Sequence, residues 1–232
     1  MFSWYYYNHS WIIIQIINLD DSNNIKFILN NTIQYTTSNK IFPSNNLKHN
    51  EILHTHNLMK LYYLHQASIL HIIKNKYYAN LIYTHAGPML IAINPYYPID
   101  IYNKQYIHKY NKKLINIPHI FQIAQKSYDM IKYKNQSIII SGESGSGKTV
   151  TCKYIMKYLS SISSSDSTHH INQKILLTNC ILESLGNAMT YQNNNSSRFG
   201  KYITLSFNHN LQLFGANIKT YLLEKSRITD YF

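Results

Sequence analysis

Eight consecutive residues constrain this chain more than any other stretch: Gly142-Glu143-Ser144-Gly145-Ser146-Gly147-Lys148-Thr149. They fit G-x-x-x-x-G-K-[ST], the pattern of a phosphate-binding loop. The chain has seven glycines in all, and three fall between Gly142 and Gly147. Glycine lets the backbone curl so that successive N–H groups face one concavity, which suits phosphate oxygens. Residues 148–160 read as a helix with Val150, Ile155, Met156 and Leu159 inward. The N-terminus of that helix aims its positive dipole end at the same anion. Lys148 is placed to reach the β- and γ-phosphates, and the Thr149 hydroxyl to ligate Mg²⁺. Residues 137–141, Ser-Ile-Ile-Ile-Ser, predict a short strand buried on both faces, as in a parallel sheet. A strand, a glycine loop and a helix are the context that this motif requires.

Composition narrows the field. The 232 residues are 45% apolar, so wholesale disorder is excluded and the chain is long enough to bury a sizeable core. The early aliphatic run from Trp11 to Ile17 is broken by Gln15, and no segment approaches the ~20 apolar residues of a membrane span. No basic, apolar and small-residue leader opens the sequence. Cys152 and Cys180 form no CxxC pair and are too few for a disulfide scaffold, which points to a reducing, intracellular setting. The formal charge is +12, from twenty Lys, two Arg and ten acidic residues. A nucleic-acid footprint needs clustering, and apart from Lys109, Lys112 and Lys113 the lysines are scattered. Lys, Asn, Ile and Tyr are all abundant and all have AT-rich codons, so the charge reads as codon background. Against that background Arg198 and Arg227 stand out.

Residues 1–45 read as a small β unit, with strands at 12–17, 25–29 and 32–36 and turn material at Asp20 to Asn24 and Asn30-Asn31. Trp4 and Tyr5 to Tyr7 are placed to cap a small barrel. His49, His54 and His56 lie in a polar stretch without the support a zinc site needs. From Asn57 the spacing of Leu58, Leu61, Leu64, Ile69, Ile72 and Ile73 predicts helix. A hairpin is expected from 81–85 and 89–93 around Gly87-Pro88, with a loop through Tyr96, Tyr97, Pro98 and Tyr102 after it. Residues 119–133 predict an amphipathic helix. Ser160 to Ser167 is a serine-rich loop, and 170–185 a helix stopped by Gly186, with Ile171, Ile175, Leu182 and Leu185 on one face. Residues 192–198 read as an Asn/Ser loop, 202–207 and 216–223 as strands, and Asn208 to Asn210 as a turn.

The second motif is Asn193-Asn194-Asn195-Ser196-Ser197-Arg198-Phe199-Gly200-Lys201. Alone it would be a polar loop. Beside a phosphate loop it offers what phosphoryl transfer needs: hydroxyl ligands for Mg²⁺, donors for phosphate oxygens and a planar arginine fork.

Together the two motifs resemble the myosin motor head. Further segments agree in the family's order: Leu64 to Leu70, Ile82 to Thr84 with Gly87, Leu90 to Pro95, Pro118 to Phe121, Ile181 to Ala188 and Tyr221 to Arg227. The resemblance runs from about residue 57 to 227. It implies an α/β fold of the P-loop NTPase class, with a mixed and incomplete sheet like that of the myosin head. Residues 1–45 would be an SH3-like N-terminal β-barrel and 46–232 the N-terminal part of the motor domain. Asn94, Pro95 and Tyr102 match the purine-binding loop, residues 142–149 the phosphate loop, the serine-rich residues 160–168 loop 1, and Asn193 to Arg198 switch I. Thr149 and Ser197 would ligate Mg²⁺, Ser196 would sit beside the attacking water, and Arg198 would pair with a switch II glutamate.

The implied function is ATP binding within an actin-based cytoskeletal motor, in the cytoplasm, with actin filaments as partner and neither nucleic acid nor a membrane span involved. No Asp-x-x-Gly-Phe-Glu switch II follows in the sequence. The chain by itself is therefore expected to hydrolyse ATP negligibly and to be poorly soluble. The alternative is a truncated, non-motor nucleotide-binding or interaction module derived from such a head. Salt-sensitive retention of DNA or RNA would be needed to revive a nucleic-acid function.

Overall fold

The computed structural model describes residues 2–19, 24–30, 32–163, 169–191 and 193–229. The chain divides into two compact units, residues 1–92 and 93–232.

The first unit opens with five antiparallel strands: β1 Phe2–Tyr7, β2 Ser10–Leu19, β3 Asn24–Leu29, β4 Thr32–Thr37 and β5 Ile41–Pro43. They lie in the order β4-β3-β2-β1-β5. Asn8 and His9 link β1 to β2 with φ of 46° and 59°, the two positive values that a tight hairpin turn demands. Alternation sets the faces: Ile14 is buried between the exposed side chains of Ile13 and Gln15, and Phe27 is buried beside the exposed Ile28. Trp4 is buried and packs on His71, ring centre to ring centre at 5.0 Å, while Tyr6 and Tyr7 are exposed. The aromatic cluster thus splits between core and surface. The expected turn at Asp20 to Asn24 lies largely outside the described residues.

Helix α1 spans His49–Leu53 and α2 Gln66–Tyr78. The helix expected from Asn57 starts nine residues later. Asn57 instead caps a short 3-10 turn, Leu58–Lys60, its Oδ1 accepting from the Met59 N–H at 3.1 Å. The chain then bends at Tyr62 and Tyr63 and reaches His65, whose ring caps α2. Leu58 and Ile72, with Ile52 of α1, form one buried cluster although they sit in three elements. The apolar spacing therefore reports a shared core, not a continuous helix. The predicted hairpin forms as β6 Tyr83–Ala86 and β7 Met89–Ala92, with Gly87 at φ +62°.

The second unit holds α3 Lys104–Asn111, α4 Ile120–Met130, α5 Lys148–Ser163 and α6 His169–Gly186. Its strands are β8 Asn187–Thr190, β9 Asn193–Ser197, β10 Gly200–Phe207 and β11 Leu213–Tyr221, and a last turn of helix, α7, spans Ser226–Thr229. Phe121 of α4 and Tyr158 of α5 are both fully buried and stack at 4.7 Å, and the Tyr158 hydroxyl donates to Gln125 Oε1 at 2.6 Å. This α4–α5 core fixes the helix that begins at Lys148.

Three expectations need correction. Residues 137–141 pair with no strand among the described residues, and Ile139 is 89% exposed. An apolar run makes a strand only where neighbouring strands take up its N–H and C=O groups. Residues 193–197 are a strand and not a loop, because β8 pairs with them antiparallel. Val150 of α5 and Leu185 of α6 are exposed, not inward. Residues 164–168 of the serine-rich stretch and the side chains of Ile171, Ile175 and Arg227 lie outside the described residues, whereas Ser160 to Ser163 continue α5.

Candidate nucleotide site

The glycine loop bends where its glycines allow. Gly142, Gly145 and Gly147 adopt φ of 154°, 80° and 90°, values that side chains resist. A Cβ at Gly142 would lie 2.6 Å from Ser146 Oγ, so that turn also requires the missing side chain. Ser146 Oγ is itself buried with no hydrogen-bond partner among the described residues. Lys148 folds across the loop, and its Nζ donates to the carbonyls of Gly142 and Glu143, each at 2.7 Å. The Ser146 N–H donates to the Glu143 carbonyl at 3.2 Å, closing the same turn.

The second motif is brought to this loop. The β8–β9 hairpin places Ser196, which is 5% exposed, with its Oγ 2.8 Å from Ser144 Oγ. Ser197 Oγ lies 3.4 Å from Thr149 Oγ1. Two serines of one motif thus meet a serine and a threonine of the other across some fifty residues of sequence. The two hydroxyls of Thr149 and Ser197 make a hard oxygen pair of the kind Mg²⁺ prefers. Asn94 reaches the loop from another side, its Nδ2 donating to the Gly145 carbonyl at 2.6 Å.

Other expected residues have contacts of their own. Asn193 bonds through its side chain to the backbone of Asn195. Pro95 follows Asn94 in the chain, and Tyr96 turns with φ of 60°. Tyr102 stacks face to face on Tyr154 of α5, with centroids 3.7 Å apart and planes at 9°. Its carbonyl accepts from Lys157 Nζ at 3.4 Å.

Arg198 has a partner inside the chain. Its Nε donates to Glu224 Oε2 at 2.9 Å, NH2 contacts the same oxygen, and NH1 donates to Ser196 Oγ at 3.0 Å. Among the described residues, Glu224 is the carboxylate that Arg198 meets. Nothing in local spacing announces Glu224. The signal available was scarcity, since it is one of only ten acidic residues and lies in a motif segment. Glu183 of α6 was missed for the same reason. Its carboxylate lies 2.9 Å from Lys153 of α5 and 3.7 Å from Lys201 of β10, tying α5 to the strand after Arg198. Among the described residues no cluster of three or more His, Cys, Asp or Glu could hold a metal, and no helix is long and apolar enough to cross a membrane.

The family model for the myosin head (motor domain) matches residues 55–231. Myosin-4 of Arabidopsis thaliana is 40% identical over 224 residues, 95% of this chain and 19% of that protein. Unconventional myosin-Va of Gallus gallus is 47% identical over 176 residues, 74% of the chain and 10% of that protein. Myosin-51 of Schizosaccharomyces pombe is 46% identical over 180 residues, 74% of the chain and 12% of that protein. The chain spans 10–19% of the length of these curated relatives. With a family model over more than half of its residues, and with both motifs meeting at one site, the chain belongs to the myosin head (motor domain) family.

Proposed function

We propose that this chain is the ATP-binding part of an actin-based cytoskeletal motor and that it binds MgATP between residues 142–149 and 193–198. The observation that carries this reading is the double hydroxyl junction, Ser144 with Ser196 and Thr149 with Ser197. The glycine loop supplies backbone N–H groups, and Lys148 supplies a cation that can leave two loop carbonyls for phosphate oxygens. The orphan Ser146 hydroxyl is a further donor at the loop. Thr149 and Ser197 would hold Mg²⁺, which when bound neutralises charge on the phosphate oxygens. Ser196 would orient water, and Asn94, Pro95 and Tyr102 would line the adenine side.

The same reading makes the second unit a P-loop NTPase element. It makes residues 1–45 an SH3-like barrel, supported by the five-stranded antiparallel order β4-β3-β2-β1-β5. ATP hydrolysis, actin filaments and a cytoplasmic, cytoskeletal location are proposed for the whole protein.

The test is MgATP binding by the purified chain and by Lys148→Ala. Removing the loop's cation is expected to weaken binding at least about tenfold, or about 1.4 kcal/mol. Equal affinity in the two proteins would sink the assignment.

A further inference from the structure

Glu224 has no role in the site described so far, yet its position is fixed twice. Its N–H donates to the Arg198 carbonyl at 2.9 Å, and the Arg198 N–H donates to the Gly186 carbonyl at 2.9 Å. The β10–β11 ladder sets this up, because Gly200 pairs with Tyr221 and so returns the chain beside Arg198. The side chains then meet, with Arg198 17% and Glu224 39% exposed.

A guanidinium carries five N–H donors in a rigid plane. Glu224 occupies the Nε and NH2 edge, which leaves NH1 pointing at Ser196 Oγ. Arg198 cannot accept a hydrogen bond, so Ser196 Oγ accepts from it. The Ser196 proton is then available to Ser144 Oγ, 2.8 Å away on the phosphate loop. A cationic donor on an oxygen strengthens that oxygen's own O–H as a donor. The carboxylate also offsets the positive charge of Arg198.

We infer that Glu224 is a positioning residue of the site: by fixing the Arg198 fork it holds the chain Arg198–Ser196–Ser144 in one direction on the phosphate loop. This inference rests on the nucleotide reading above. It assigns Glu224 no contact with nucleotide. Its effect travels through two side chains to Ser144.

The test is a double-mutant cycle on MgATP affinity with Glu224→Gln, Ser144→Ala and the double variant. Glu224→Gln keeps the shape and removes the charge. Each single variant is expected to weaken MgATP about three- to tenfold, the worth of one or two hydrogen bonds. The double variant is expected to be no weaker than the worse single one, because both cut the same chain. Wild-type affinity in Glu224→Gln, or a double variant that loses the product of the two single effects, overturns the inference. Thermal unfolding checks that each variant is folded. If Glu224→Gln does not fold, Arg198→Lys, which keeps the charge but lacks the fork, takes its place in the cycle with the same deciding outcomes. Failure of the nucleotide reading looks different: Lys148→Ala then binds as wild type does, whatever Glu224 does.

Discussion

At the scale of single residues, glycine placement carries two different physical messages. In the loop from Gly142 to Gly147 it marks positive φ. At the end of α6 it marks space. Gly186 is buried, has no left-handed backbone, and a Cβ there would lie 2.3 Å from Cε1 and 2.5 Å from Cδ1 of Phe199. The helix does end at this glycine, as the sequence suggests, but the glycine is required by the Phe199 ring and not by a turn. Gly186→Ala is expected to cost about 1–3 kcal/mol in denaturant unfolding, the usual cost of overpacking. Adding Phe199→Leu should restore part of it. An unchanged midpoint in Gly186→Ala would show that the ring can move aside without cost. The residues that meet at the junction, Lys148, Thr149, Ser196, Ser197 and Arg198, were legible because glycine and arginine are scarce in this chain. Their partners were not. Glu224 meets Arg198 only because a hairpin register folds residue 221 back beside residue 200.

At the scale of elements, pattern reveals which residues seek burial but not what they pair with. Ile138 to Ile140 read as a buried strand and form none, whereas the polar run Asn193 to Ser197 is a strand because β8 supplies its ladder. Helix α3 escaped notice because only Ile107 and Tyr110 of its eight residues are buried. Helix α4 was legible, and its cap carries a pH dependence. His119 is 3% exposed, and its Nδ1 accepts from the Phe121 N–H at 3.0 Å, so its ring proton sits on Nε2. Burial among rings, only partly opposed by a bond with the Ile101 backbone, pushes its pKa from 6.5 down to about 3. Between those values the unfolded chain binds a proton that the folded chain refuses. Stability therefore falls as pH drops below 6.5 and levels off below about 3, with a slope approaching about 1.4 kcal/mol per pH unit. His119→Asn keeps a capping acceptor and removes the titration. The stability advantage of wild type over that variant should shrink between pH 6 and pH 4, which lie inside the same window. Parallel stability curves across this range would contradict the assignment.

At the scale of the whole molecule, two opposed quantities set behaviour in solution. Among the described residues, each sheet of the second unit has two strands, fewer than the three that usually stand alone, so its edges offer backbone groups for pairing. Large apolar side chains are exposed as well: Ile139 at 89%, Leu222 at 94%, Met189 at 74% and Phe214 at 60%. Edges and apolar surface favour association. The net charge of +12 opposes it, because every copy repels every other. The repulsion reaches about 30 Å at 0.01 M salt and about 8 Å at 0.15 M, whereas burial of apolar surface is not screened. Association should therefore increase as salt is added. Light scattering of the purified chain is expected to rise between about 0.02 M and 0.3 M salt, a range over which the screening length shrinks several-fold. Ile139→Lys with Phe214→Lys should move the onset to higher salt by adding charge where apolar surface was exposed. Scattering that falls with salt would instead point to assembly driven by charge, as when a basic protein gathers on a polyanion, and would reverse the balance argued here.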